Sequence, residues 1–273
     1  MLECVINISE GRRAEVVEAI AAEAGANLLD IHRDPHHHRS VLTLAGPPDE
    51  VEASARAIAQ ATVERLTLTR HAGAHPRFGV LDVVPFVDLA PSDPPGGPTP
   101  TARAISARDR FAAWAGASLG LPCFLYGPER SLPEVRQRAF RDLAPDTGPP
   151  QPHPTAGATA VGARGLLVAY NLWLAEPDVQ RARAVAAAIR GPALRALGLA
   201  LDGRAQVSCN LIDPEAVGPA EAYDAVAAHA SIHHAEVVGL VPAAVLNRTP
   251  PARWAELALD PALTIEARLA AKP

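Results

Sequence analysis

The run Arg70-His71-Ala72-Gly73-Ala74-His75-Pro76-Arg77-Phe78-Gly79-Val80-Leu81-Asp82 concentrates proton-transfer and charge-recognition chemistry. Two imidazoles four residues apart would share a helix face, but Gly73 and Pro76 oppose a helix here. The spacing therefore predicts a loop that enters a strand. Such a loop can project an imidazole and a guanidinium into a cleft, which suits proton transfer beside an anionic substrate. On spacing alone a second reading stands beside it, in which His75 closes the preceding helix and Arg77 makes a surface ion pair. Asp82 either orients His75 or Arg77, or serves the start of a strand.

His36-His37-His38-Arg39 invites a metal reading. Adjacent side chains rarely converge on one ion, and no cysteine or second histidine cluster lies at a standard ligand spacing, so no metal is expected. The three cysteines, Cys4, Cys123 and Cys209, sit far apart in apolar runs and read as reduced core residues. No phosphate-cradling glycine motif is present.

These residues need a scaffold, and the apolar periodicity supplies one. Leu2 to Ile8 reads as a buried strand, followed by a helix with Val16, Val17, Ile20 and Ala21 on one face. Leu28–Ile31 and Val41–Leu44 read as strands whose connection is too long for a tight hairpin. A helix is predicted from Glu50 to Leu66, a strand from Val80 to Val87 that tolerates Pro85 poorly, a helix from Ala102 to Leu119 and a strand from Pro122 to Tyr126. The stretch from Gly127 to Gly157 is Pro- and Gly-rich and reads as irregular, a linker or binding loop. Beyond it, strands at Leu166–Leu172, Leu194–Leu201, Val207–Ile212 and Val237–Leu240 alternate with helices at Asp178–Ile189 and Glu221–His229. This alternation predicts an α/β (α+β sandwich) fold of two similar subdomains, 1–160 and 161–273, each a mixed sheet with helices on one face.

With 273 residues, 48% of them hydrophobic, the chain can bury a sizeable core. A formal charge of −5 gives no electrostatic case for nucleic acid. The start resembles no signal peptide, and no apolar run approaches the roughly 18 residues of a membrane span. A cytoplasmic protein without membrane or nucleic-acid partners is the expectation.

The His71–Asp82 run resembles the H-x-G-x-H-P-R-x-G-x-L-D signature of the glutamate formiminotransferase family. Glu3-Cys4-Val5-Ile6-Asn7-Ile8-Ser9-Glu10-Gly11 looks like the family's opening strand and loop, and Gly157-Ala158-Thr159 with Val161-Gly162-Ala163-Arg164 like its central segment. Gln206-Val207-Ser208-Cys209-Asn210-Leu211 and Val238-Gly239-Leu240-Val241-Pro242 resemble its later strands. The resemblance covers most of the chain in the family's order, without the cyclodeaminase domain that some relatives carry as a fusion.

The resemblance implies transfer of a formimino group from N-formiminoglutamate to tetrahydrofolate, the latter a co-substrate, without a metal. It implies two subdomains enclosing a folate tunnel, a homodimer, and His75 as the catalytic histidine. The folate-contacting segment would be Gly148-Pro149-Pro150-Gln151-Pro152-His153-Pro154-Thr155-Ala156-Gly157, expected to become ordered when ligand binds. Arg39, Arg77 and Arg164 are candidates for substrate carboxylates, with Asp82 beside them; a solvated surface arginine is the alternative for each. Two departures stand out: His38 replaces the asparagine usual before the arginine, and His233-His234-Ala235 replaces a small hydroxyl residue before Glu236. Two alternatives follow from them, a related formyl transferase using another donor and a folate-binding protein without catalysis.

Overall fold

The computed structural model describes residues 1–69, 77–89 and 99–272. They form two compact units, divided between Gly165 and Leu166. The break expected at residue 160 would cut a strand, which is why it falls later.

The first unit opens as β1 (Leu2–Ile8), α1 (Ala14–Ala21), β2 (Leu28–Asp34), β3 (Arg39–Gly46), α2 (Pro48–Arg65) and β4 (Leu81–Asp88). It continues with α3 (Ala102–Ser118), β5 (Cys123–Tyr126), α4 (Leu132–Arg138) and β6 (Thr159–Arg164). The six strands lie in the order β2-β3-β1-β4-β6-β5, so the antiparallel β2-β3-β1-β4 part gains two parallel neighbours. This sheet is mixed, as expected. Pro85 nevertheless lies in a central strand. The β1–β4 ladder pairs Cys4 with Phe86 and resumes at Asn7 with Val83, so the missing N–H falls in a gap in the ladder.

The second unit runs β7 (Val168–Leu174), α5 (Val179–Ile189), β8 (Leu194–Leu201), β9 (Arg204–Leu211), α6 (Pro219–Ala227) and β10 (Ile232–Val238), followed by short helices α7 (Ala243–Asn247) and α8 (Ile265–Ala270). Its strand order is β10-β7-β9-β8. Both units thus contain a βαββαβ motif in which the fourth strand lies beside the first and the third separates the first from the second. The second sheet is antiparallel at every pairing, not mixed, because no added βα elements extend it.

Alternation along β1 sends Leu2, Cys4, Ile6 and Ile8 into one core with Val17 and Ile20 of α1, Val51, Ala55 and Ile58 of α2, and Phe111 of α3. Helix α4 departs from the one-face expectation. Its Val135 packs on Val83, Phe124, Tyr126, Ala158 and Ala160, a separate cluster on the other side of β5 and β6. The sequence reading left α4 within an irregular stretch, although Ser131-Leu132-Pro133-Glu134 is a capping box: the Ser131 hydroxyl accepts from the Glu134 N–H while the Glu134 carboxylate accepts from the Ser131 N–H.

The connection between β2 and β3 is shorter than expected because both strands extend, pairing Asp34 with Arg39. The Asp34 carboxylate holds the turn by accepting the N–H groups of His36 and His37, and His38 takes the left-handed conformation, φ 51°. In the second unit, Asp202 and Gly203 both have positive φ, a two-residue hairpin turn that starts β9 earlier than predicted. Cys4, Cys123 and Cys209 are buried and unpaired, and burial pushes the Cys123 and Cys209 thiols up to about 12. No helix among the described residues is long and apolar enough to cross a membrane.

Candidate functional site

The candidate site lies in the first unit, where the β1–α1 loop, the β2–β3 turn, the entry to β4 and helix α4 meet. Ser9 fixes the loop to the entry of β4, its N–H donating to the Val80 carbonyl (2.8 Å) and its hydroxyl to the Gly79 carbonyl (2.8 Å). The Ser40 hydroxyl donates to the Glu10 carbonyl (2.6 Å), which ties β3 to the same loop. Glu10 is buried, and its carboxylate accepts the N–H groups of Arg12 (2.8 Å) and Arg13 (3.0 Å). Burial by itself would raise the Glu10 pKa, but those two N–H bonds and the Arg13 guanidinium hold it below the usual value.

His38 answers this loop from the turn. Its Nδ1 accepts the Gly11 N–H at 3.1 Å and lies 3.5 Å from the Glu10 carboxylate. Burial lowers the imidazole's affinity for a proton; Glu10 opposes this, and Arg12, Arg77 and Arg13 reinforce it, leaving the ring below the ordinary histidine value. Asparagine and histidine both tolerate a left-handed backbone better than most residues and both offer an acceptor, so His38 meets the local demands at this position.

Asp82 is buried at the centre of the charged groups. It accepts the Phe78 N–H (2.8 Å) and pairs with the Arg136 guanidinium (2.6 Å). Burial pushes Arg39 below the usual arginine value; Asp82 and Asp34 oppose the shift, and Arg136 and Arg77 add to it. Arg77 is likewise lowered by burial and held up by Asp82. The structure thus gathers Arg39, Arg77 and Asp82 and adds Arg136, which the sequence reading missed. The capping box that starts α4 was the available signal. Three guanidinium groups gathered around Asp82 are of the kind that can recognise a carboxylate-bearing ligand.

Arg164 stands elsewhere, at the end of β6 opposite Val87 in β4. It donates to the Gly165 carbonyl (2.9 Å) and also bonds the Tyr126 phenol, which burial pushes up to about 12 against the pull of Arg164. Gly162 allows the Tyr126 ring to lie across β6, since a Cβ there would sit 2.0 Å from the ring. His75 and His71 lie outside the described residues. The chain on either side of them is pinned: the Leu68 N–H donates to the Thr155 carbonyl (2.8 Å) and the Val80 N–H to the Ala156 carbonyl (2.9 Å).

The segment from Gly148 to Gly157 therefore braces Leu68 and Val80, the described residues on either side of the histidines. His153 and Gly157 exchange backbone bonds (2.8 and 3.0 Å), and the His153 ring accepts the Ala156 N–H (3.0 Å). Ala156 and Gly157 are buried, whereas Gly148-Pro149-Pro150-Gln151-Pro152, Pro154 and Thr155 are exposed. The expected disorder-to-order change meets a segment that already holds itself by hydrogen bonds.

The three consecutive histidines have a turn-building role. His37 is buried and its Nδ1 pairs with the Asp34 carboxylate. Burial would raise Asp34, but the His37 ring and the His37 and His36 N–H groups hold it at about 2. A depressed carboxylate adds stability that is full above the unfolded value near 3.9 and is lost as pH falls through about 2. Denaturant titration should find Asp34→Asn less stable than wild type by roughly 2 kcal/mol at pH 7, the gap narrowing below pH 4. A gap independent of pH would contradict the pairing. Among the described residues no group of three or more His, Cys, Asp or Glu side chains is arranged to hold a metal ion.

Comparison with known proteins gives a consistent picture. Residues 1–164 match the model of the formiminotransferase domain, N-terminal subdomain. The chain is 34% identical to a glutamate formimidoyltransferase of Streptococcus pyogenes serotype M1 over 90% of each chain. It is 31% identical to a glutamate formimidoyltransferase of Thermoplasma acidophilum, over 89% of this chain and 88% of that one. A formimidoyltransferase-cyclodeaminase of Sus scrofa is 33% identical over 89% of this chain, which spans 50% of that longer protein.

Proposed function

This chain belongs to the formiminotransferase family, and we propose that it transfers a formimino group from N-formiminoglutamate to tetrahydrofolate, giving 5-formiminotetrahydrofolate and glutamate. The observation that supports this most is the likeness to a glutamate formimidoyltransferase over 90% of both chains, which spans both structural units. The arginines gathered around Asp82 fit the donor, a dicarboxylate. In this reading Arg39, Arg77 and Arg136 receive carboxylates, and Arg164 and the 148–157 segment serve the substrates from their own places.

The chemistry needs proton management and positioning. The N5 nitrogen of tetrahydrofolate adds to the formimino carbon and loses a proton; the bond from that carbon to the glutamate nitrogen then breaks as the nitrogen gains one. An imidazole titrating near neutrality can accept the first proton and return it to the leaving nitrogen. His75 is assigned that role; the described residues on either side of it, Leu68 and Val80, are hydrogen-bonded to the Thr155 and Ala156 carbonyls. We further assign the protein to the cytoplasm as a homodimer, to be read by fractionation and light scattering.

The test is formimino transfer by the purified full chain, with and without a chelator. Activity should persist undiminished in excess EDTA, since addition and elimination at an already electrophilic formimino carbon require no metal. Activity abolished by EDTA and restored by one particular metal would overturn the metal-free part, and an inactive wild-type chain that still binds folate would favour the folate-binding reading without catalysis.

A further inference from the structure

The second unit's sheet has two unlike faces. Tyr170 and Leu172 of β7 and Val207 and Cys209 of β9 pack with Ala182, Val185 and Ala186 of α5 and Ala222 and Val226 of α6. The alternate residues face the other way, and there polar groups stand beside Leu197 and Leu199 of β8: Trp173 pairs with Gln206 and Asn171 with Ser208 across β7 and β9, Leu199 pairs with Gln206 across β8 and β9, and Glu236 of β10 pairs with Asn171. The Glu236 carboxylate accepts from the Asn171 amide (3.1 Å) and the Trp173 indole N–H (3.3 Å), while the His234 ring stacks on Trp173 at 5.7 Å between centroids.

Gln206 is the anomaly on this face. It is 0% exposed, and neither its amide nitrogen nor its amide oxygen has a hydrogen-bond partner among the described residues. Buried polar atoms in folded proteins are almost always paired, and an orphaned donor and acceptor on one side chain destabilises the state that holds them. Such a burden persists where the groups serve a ligand.

We infer that Gln206, framed by Trp173, Asn171 and Glu236, recognises the hydrogen-bonding edge of a planar nitrogen heterocycle. A primary amide presents a donor and an acceptor side by side, the complement of the lactam or amidine edge of such a ring. Trp173 and His234 supply an aromatic platform beside it, and Glu236 an acceptor for amino groups. Resting on the transferase reading above, the ligand is the pterin end of the folate. Because both amide atoms are withdrawn from solvent, the surface over Gln206 must open for the ring to enter; the free protein bears the unmet amide and the bound ring satisfies it.

The two consequences have opposite signs, which makes the proposal testable on the full-length protein. Gln206→Leu, and Gln206→Met as a second variant of similar volume, should melt a few degrees higher than wild type because the orphaned amide is gone. Calorimetry should show 5-formyltetrahydrofolate bound roughly 10- to 100-fold more weakly, the worth of about two hydrogen bonds, while p-aminobenzoylglutamate, which lacks the heterocycle, binds as before. Unchanged 5-formyltetrahydrofolate affinity, equal losses for both ligands, or lower melting of both variants overturns the assignment. Wild-type protein that binds no folate rejects the transferase reading and this one with it, whereas folate binding equal in wild type and variants rejects this one alone.

Discussion

His75→Ala should lower the turnover of formimino transfer by about 10²- to 10⁴-fold, the usual worth of a positioned general acid/base, while folate affinity changes far less. The size of the effect follows from two proton movements in one turnover, off the attacking nitrogen and onto the departing one. Removing the imidazole leaves both to water. In the sequence Pro76 and Arg77 follow the histidine, and the chain beyond is held by the Phe78 N–H on Asp82. His71→Ala should matter less, as the residue nearer the preceding helix. The measurement is steady-state kinetics beside folate calorimetry on folded variants. Near wild-type turnover in His75→Ala would remove the assigned role, and equal sensitivity of His71→Ala would spread it over both rings.

Asp82→Ala should destabilise the protein by about 3–5 kcal/mol, the range for removing one partner of a buried ion pair. Asp82 has 1% of its side chain exposed, so its loss leaves the Arg136 guanidinium and the Phe78 N–H without their buried acceptor and takes from Arg39 and Arg77 the charge that offsets their burial. Against a typical total of about 5–15 kcal/mol, that is a large share of the fold's stability. Asp82→Asn should cost less, since the amide oxygen can still accept from Phe78. Urea unfolding measures both, and a loss below about 1 kcal/mol in Asp82→Ala would show that the guanidinium groups do not depend on this carboxylate. Donor binding should weaken in the same variants, because the arginines lose the group that spaces them.

Much of this molecule was legible one segment at a time. Strand β1, helices α1, α2 and α3 and the alternation in the second unit announce themselves because apolar periodicity is a property of neighbouring residues: Val51, Ala55 and Ile58 share a helix face wherever that helix packs. The capping box of α4 and the Asp202-Gly203 turn were equally local and equally readable; the first was overlooked in a stretch whose proline and glycine content suggested irregularity, the second between two strands. The tertiary structure alone decided which segments meet. Strand order places β6 between β4 and β5, and a contact such as Arg136 with Asp82 joins residues 54 apart, so no window of sequence contains it. Gln206 shows the same division. Its residue type is written in the chain, but a glutamine in solution and one buried without a partner differ only in what packs around them, and burial belongs to the folded whole.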